Sequence, residues 1–98
     1  MAKKIIWSNN AEQELLSALE FYNLRNGSNS YSLKLLDKVD DVVNTISETE
    51  TVGRLTKNKV TRVFPIDIFL LFYEVTHDSI TIVSFWNNKQ DQIKNRIK

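Results

Sequence analysis

The segment Ile68-Phe-Leu-Leu-Phe-Tyr73 is apolar at every position, so both faces of a strand built from it would be apolar. We expect it to be the central strand of a sheet, with something packed on each side. Residues 59–64 before it alternate between two faces, the two-residue period of a strand, and Pro65 is expected to end that strand. Residues 80–86 after it are rich in β-branched and aromatic side chains. Short connections between these strands predict an antiparallel meander of three to four strands.

The first half of the chain has the pattern of two helices preceded by a strand at residues 3–7. Helix N-cap types follow that strand at Ser8, Asn9 and Asn10, and Asn26-Gly27 has the composition of a helix terminator. Apolar side chains repeat with the helical period in two stripes, which are Ala11, Leu15, Ala18, Leu19 and Tyr22, then Tyr31, Leu35, Val39, Val42 and Ile46. The sequence therefore predicts an α+β fold of one domain, residues 1–98, with an antiparallel two-helix hairpin packed on one face of the sheet.

Composition excludes several kinds of functional site. There is no cysteine among the 98 residues, which excludes disulfides, thiolate metal sites and a cysteine nucleophile, and the single histidine, His77, excludes sites that need two. We predict no metal site and no cofactor. No apolar run approaches the roughly 20 residues of a membrane span, and the first seven residues are too short for a signal peptide. We therefore expect a cytoplasmic protein without membrane contact.

Positive charge is concentrated in one short stretch. Arg54, Lys57, Lys59 and Arg62 fall within nine residues that contain no acid. Residues 1–50 carry five Lys/Arg against eight Asp/Glu (5 − 8 = −3), whereas residues 51–98 carry eight against four (8 − 4 = +4). The formal net charge is only +1, which argues against indiscriminate coating of nucleic acid and leaves a local anion-binding surface. The alternative for these cations is a solvated strand face.

Arg62 is the leading functional candidate in this stretch. It lies between Val60 and Phe64 on one face of its predicted strand, so its stem must cross apolar surface and its guanidinium must reach an anion or the rim of a groove. One interpretation is contact with a phosphate. The other is a structural ion pair with an acidic residue of the second helix, such as Asp37, Asp40 or Glu48.

The order of these elements resembles the RelE/ParE superfamily of toxins from bacterial toxin–antitoxin modules. The resemblance covers nearly the whole chain and rests on Ile6-Trp7-Ser8 before a helix starting near Ala11 and Glu14, on Phe21-Tyr22, on Gly53 before Arg62-Val63-Phe64, on residues 68–73, and on Phe85-Trp86-Asn87-Asn88-Lys89-Gln90-Asp91. It implies a growth-inhibiting protein held silent by a cognate antitoxin. Relatives usually carry arginine at the position of Lys89, and lysine lacks the planar fork with which arginine clamps phosphate.

The resemblance implies two possible targets, because some members of the superfamily cleave messenger RNA on the ribosome and others inhibit DNA gyrase. For cleavage, we predict that Arg62 stabilises the phosphate charge, that Lys57 or Lys59 acts as the base, and that Tyr73 completes the catalytic set. Nucleic-acid or target binding is assigned to Arg54, Trp86 and Lys89. Tyr73 and Trp86 have packing roles as alternatives, and a turn role is expected for His77.

The sequence-based hypothesis places ribosome-associated mRNA cleavage first. A gyrase inhibitor of the ParE type is the alternative, and the acidic helical hairpin suits a protein target. The third possibility is an inactive module that only binds the antitoxin. The sequence leaves the identity of the antitoxin and the oligomeric state open.

Overall fold

The computed structural model describes residues 3–87, which form two helices and a five-stranded sheet. The elements are β1 (Lys4–Trp7), α1 (Asn9–Asn26), α2 (Ser30–Glu48), β2 (Arg54–Leu55), β3 (Thr61–Ile66), β4 (Phe69–Val75) and β5 (Ser79–Asn87). The strand order is β1-β5-β4-β3-β2, in which β1 is parallel to β5 and every other pair is antiparallel. The predicted α+β fold, with the N-terminal strand, helical hairpin and meander in that order, is confirmed.

The first helix, α1, begins and ends where the sequence signals predict. The Ser8 side chain caps α1 by accepting a 3.0 Å hydrogen bond from the Ala11 backbone N–H. Gly27 ends α1 in the left-handed conformation, with φ of 66°, which costs a glycine little. The two helices are tied together near this turn, because the Ser32 hydroxyl lies 3.0 Å from the Leu19 carbonyl oxygen.

The core lies between the helical hairpin and one face of the sheet. Buried side chains of α2 at Leu35, Val39 and Ile46 share this core with Leu71, Tyr73, Ile80, Ile82 and Phe85 of the sheet. The strand β4 is central in the sheet, as predicted. Both helices contribute to the core on one face of β4, so the expectation that something also packs on the other face stays a prediction. On the opposite, helix-free face, Phe72 and Leu70 remain partly exposed.

Pro65 lies inside β3, so the prediction that it ends the strand is wrong. It pairs with Leu70 of β4, and the strand continues to Ile66. The backbone carbonyl of Thr61 points towards β2, because it accepts a hydrogen bond from the Thr56 backbone N–H. The backbone polar groups of alternate residues in a strand point to the same side, so the Pro65 nitrogen also points to the β2 side. The strand β2 reaches only as far as Val63, which leaves Pro65 at a free edge where no N–H is needed.

The start of β3 also differs from the prediction. The strand begins at Thr61 and not at residue 59, because Lys59 and Val60 belong to the loop between β2 and β3. Lys59 has φ of 62°, which is incompatible with a strand. Val60 consequently does not share a strand face with Arg62.

A bulge in β5 is held by the N-terminal turns of α1. The register against β4 shifts between Ile82 and Ser84. The carboxylate of Glu14 accepts hydrogen bonds from the Ser84 hydroxyl at 2.9 Å and the Phe85 backbone N–H at 3.1 Å, while the Asn10 amide donates to the Val83 carbonyl. The strand β1 pairs with the first part of β5, and α1 forms hydrogen bonds with β5 beyond that part. The side of β5 that faces away from β4 is therefore covered.

No helix in the described part of the chain is long and apolar enough to cross a membrane. Lys89, which was assigned to target binding, and the other residues after position 87 lie outside the described part of the chain.

Candidate functional site

The loop between β2 and β3 is held in a fixed shape by one side chain. The side-chain Oδ1 of Asn58 accepts hydrogen bonds from the backbone N–H groups of Val60 and Thr61, both at 2.8 Å, and from the Thr56 hydroxyl at 3.0 Å. The Asn58 amide nitrogen donates to the Thr61 hydroxyl at 2.9 Å. This network places Lys59 in the left-handed conformation. We call residues 54–60 the hairpin tip.

The hairpin tip carries three exposed cations, Arg54, Lys57 and Lys59. Arg54 lies opposite Val63, and Val63 lies opposite Phe72, so the Arg54 side chain is on the helix-free face of the sheet. Lys57 and Lys59 extend from the loop itself. The two ion pairs formed within residues 3–87, Lys3–Glu50 and Lys38–Asp67, involve none of these cations. The tip therefore presents uncompensated positive charge.

Arg62 and Tyr73 lie together on the helix-covered face, opposite to the face that carries Arg54, and they pair across β3 and β4. The Tyr73 side chain is fully buried. Its hydroxyl donates to the Glu50 carbonyl at 2.8 Å and accepts from the Gly53 N–H at 2.8 Å. The Arg62 guanidinium donates to the carbonyl oxygens of Gly53 at 2.8 Å and Thr51 at 3.4 Å. Both side chains thus hold the segment that joins α2 to β2, and we call this arrangement the loop clamp.

The loop clamp excludes one of the two interpretations of Arg62. Its guanidinium is bound to neutral carbonyl oxygens, so the alternative of an ion pair with Asp37, Asp40 or Glu48 is wrong. The catalytic assignment of Arg62, Lys57, Lys59 and Tyr73 stays a prediction. The structure brings Arg62 and Tyr73 together and places Lys57 and Lys59 in a separate loop.

Gly53 is essential to the geometry of the loop clamp. A Cβ atom at this position would lie 2.6 Å from the Tyr73 hydroxyl oxygen and 2.7 Å from the Tyr73 Cε1 atom. Both distances are shorter than any ordinary van der Waals contact, and the Tyr73 ring is buried on all sides. The absence of a side chain at Gly53 therefore permits the tyrosine hydroxyl to reach the backbone.

Burial raises the pKa of Tyr73, and this makes alkaline stability a probe of the loop clamp. Removal from water is the largest cause of the shift, and the nearby Arg62 charge opposes it. Because the folded state holds the proton more tightly than the unfolded state does, the contribution of Tyr73 is complete below the ordinary tyrosine pKa of about 10 and is lost as the pH rises through the raised value.

We predict that the free energy of unfolding of the parent falls more steeply above about pH 10 than that of Tyr73→Phe. Urea unfolding at neutral and alkaline pH measures this difference. The pKa of Tyr31 is also raised, chiefly by burial, so Tyr31→Phe serves as a comparison for a second tyrosine. Parallel pH profiles for the parent and Tyr73→Phe would contradict the buried, protonated state of Tyr73.

A groove lies beside the hairpin tip on the helix-free face. It has a volume of about 320 Å³, and Asn58, Thr61, Phe72 and Trp86 are among its lining residues. The Phe72 and Trp86 rings lie 4.9 Å apart between centroids, and 40% of Trp86 is exposed. Trp86, predicted to bind the target, is therefore accessible beside the cations.

The outer surface of the helical hairpin is a second exposed region. It carries Leu16, Phe21, Leu24 and Leu33, each of which is at least half exposed, and Leu24 is 78% exposed. A shallow groove of about 270 Å³ lies between Phe21 and Leu24, with Glu20 and Ser17 beside it. This hydrophobic surface was not predicted, because its side chains lie outside the apolar stripe that indicated the helix.

The remaining candidate residues add little to these exposed surfaces. His77 is exposed in the turn between β4 and β5, as predicted. Within residues 3–87, no cluster of three or more histidine or acidic side chains is placed to hold a metal ion. The role of Asn58 was missed, although an asparagine side chain in a turn often bonds to the backbone two residues further on, as it does here to Val60.

Comparison with known proteins decides the family. Residues 5–92 match the family described as the ParE toxin of the type II toxin–antitoxin system, parDE. The chain belongs to the ParE toxin family. It is thus the toxin component of a two-protein system, and the predicted antitoxin partner follows from this membership. A search of curated protein sequences found no significant match.

A solved structure supports the same fold for this ParE-family chain. The structure, titled the chromosomal ParDE TA system from P. aeruginosa, superposes with a TM-score of 0.71 and 16% sequence identity. The alignment covers 88% of this chain and 96% of that one. At this level of identity the likeness concerns the fold, so the target must be inferred from the chain's own residues.

Proposed function

We propose that this ParE-family toxin inhibits DNA gyrase by binding it, and that it does not cleave RNA. The observation that carries the proposal is the loop clamp. The polar atoms of Tyr73 and the guanidinium of Arg62 are engaged with the backbone of residues 50–53. Two of the four residues predicted to be catalytic are therefore occupied in holding a loop.

The chemistry of RNA cleavage argues in the same direction. Attack by a 2′-hydroxyl needs a base, a cation at the phosphate and an acid for the leaving oxygen, all within hydrogen-bond reach of one phosphate. The Tyr73 hydroxyl donates its hydrogen bond to the Glu50 carbonyl oxygen, and the ring is fully buried. A substrate could reach it only after the loop clamp had opened, at the cost of both hydrogen bonds.

The outer surface of the helical hairpin supports a protein target. An apolar surface that includes Phe21 and Leu24 is typical of contact with another protein. Acidic residues exceed basic ones in the half of the chain that forms this hairpin, eight against five. That charge disfavours RNA and is compatible with a protein surface.

The experiment compares the two targets directly. Purified protein is added to a gyrase supercoiling assay and, separately, to ribosomes translating a defined message. We expect inhibited supercoiling and intact message. Cut message with unaffected supercoiling would overturn the proposal in favour of the mRNA endonuclease, for which the exposed Lys57 and Lys59 are the supporting observation.

The antitoxin provides the control for specificity. Addition of the cognate antitoxin should restore supercoiling, because the two proteins form one toxin–antitoxin system. A chain that binds the antitoxin but affects neither gyrase nor translation, and that does not arrest growth, would be an inactive module instead.

A further inference from the structure

The three cations of the hairpin tip have no role in the fold. The side chains of Arg54, Lys57 and Lys59 are exposed and make no hydrogen bond or ion pair within residues 3–87. The sequence between Thr51 and Ile66 contains no acid. Glu74 lies at the base of the tip, where its carboxylate accepts a 2.7 Å hydrogen bond from the Thr61 hydroxyl, but it pairs with none of the three cations, so the tip keeps a net positive charge.

The shape of the hairpin tip is set before any partner binds. Asn58 closes the loop with hydrogen bonds to Thr56, Val60 and Thr61. Lys59 is held at φ of 62°, a conformation that costs a non-glycine residue about 1–2 kcal/mol. Binding through this tip therefore loses little backbone entropy, which favours affinity.

We propose that the hairpin tip contacts the phosphate backbone of the duplex DNA that gyrase holds. This inference rests on the proposed function and adds a second partner to it. Lysines present compact point charges that suit phosphate oxygens, and a two-stranded hairpin is narrow enough to lie along a DNA groove. The apolar outer surface of the helical hairpin is left to contact the gyrase protein.

A contact between the hairpin tip and DNA is weak by itself, so the toxin also needs the outer surface of the helical hairpin to bind the gyrase protein. Three phosphate contacts give a slope of log K against log salt of about −2.7, a modest dependence typical of weak, non-specific binding. A formal net charge of +1 adds little further attraction. Once the toxin is attached to gyrase, however, the DNA is at high effective concentration and the three contacts add to the affinity.

The test removes the three charges and compares binding in the presence and absence of DNA. The tip variant is Arg54→Gln/Lys57→Gln/Lys59→Gln. The control, Lys4→Gln, removes one exposed cation that lies outside both the hairpin tip and the helical hairpin, and it has the same formal charge as each single substitution in the tip (+1 − 1 = 0). Affinity for gyrase is measured from about 50 mM to about 200 mM salt, with and without a bound DNA duplex.

With DNA bound, we expect the slope of log K against log salt to be steeper by about 2.7 for the parent and the control variant than for the tip variant. Between the two salt concentrations, the parent should therefore lose about 40-fold more affinity than the tip variant does. Each single substitution in the tip should reduce the slope by about 0.9. Without DNA, all three proteins should have the same slope.

Three results would overturn the inference. An equal loss of slope with and without DNA would assign the tip to an acidic surface of the gyrase protein. Identical slopes for parent and tip variant, with gyrase still inhibited, would leave the proposed target in place and make the tip a solvated surface. Failure of the parent to bind gyrase in either form would remove the proposed function together with this inference.

Discussion

Gly53→Ala is expected to destabilise the protein by about 3–5 kcal/mol, because the added methyl group must displace the buried Tyr73 ring. The new Cβ would lie 2.6 Å from the Tyr73 hydroxyl oxygen, and the Tyr73 side chain is fully buried. Displacement also breaks the two hydrogen bonds that join Tyr73 to Glu50 and Gly53. Domains of this size have a total stability of about 5–15 kcal/mol, so much of it would be lost.

Gly27→Ala is the matched control for this substitution. A Cβ at Gly27 meets nothing within 4 Å, and the residue has φ of 66°, so the cost is confined to backbone strain of about 1–2 kcal/mol. Chemical denaturation of both variants measures the difference. The double variant Gly53→Ala/Tyr73→Phe should be less destabilised than the sum of the two single variants, since it relieves the contact with the hydroxyl. Similar stabilities for the two alanine variants would contradict the packing of Tyr73 against Gly53.

Arg62→Ala is expected to lower the free energy of unfolding by about 2–3 kcal/mol, the range for hydrogen bonds from a charged donor. The carbonyl of Gly53 loses its 2.8 Å partner, and the segment between α2 and β2 loses one of its two attachments. Arg62→Lys should recover part of this loss, because a lysine can reach one carbonyl oxygen but lacks the planar fork.

The same variant separates a structural from a catalytic arginine. If Arg62 acts only through the loop clamp, each folded molecule of Arg62→Ala should inhibit gyrase as well as the parent does, at a temperature where the variant is still folded. A catalytic or target-binding arginine would instead lose activity without loss of folded protein. Circular dichroism gives the folded fraction, and the supercoiling assay gives the activity.

The fold could be predicted because its signals are local. The cap at Ser8, the terminator at Gly27 and the helical stripe of Leu35, Val39 and Ile46 each depend on neighbouring residues, and the structure confirms them. The apolar run of β4 indicated a central strand for the same reason.

The errors concern features that depend on strand pairing. Pro65 is tolerated because β2 is only two residues long and stops before reaching it, and no signal at Pro65 itself reveals this. Lys59 was read as a strand residue because alternation continues through it. The left-handed conformation imposed by Asn58 depends on hydrogen bonds that alternation does not report.

The candidate site was predicted in part for a similar reason. The sequence identified the cations, and it predicted that the Arg62 guanidinium reaches an anion or the rim of a groove, whereas the structure shows it bound to neutral carbonyl oxygens. It could not show that Arg62 and Tyr73 face the helices, since this follows from the cross-strand pairing of Arg62 with Tyr73 and of Tyr73 with Ile82. Nor could it show that the partners are carbonyl groups of residues 51 and 53, which approach only when the chain between α2 and β2 is folded.

The order in which cellular processes stop tests the proposed mode of action most directly. Expression of the protein is induced in growing bacteria, and the incorporation of labelled thymidine and of labelled amino acids is followed from the moment of induction. A toxin that binds gyrase should stop DNA synthesis first, while protein synthesis continues until the later consequences of blocked replication. Cessation of amino-acid incorporation before any decline in DNA synthesis would contradict gyrase as the target and would return the assignment to messenger RNA.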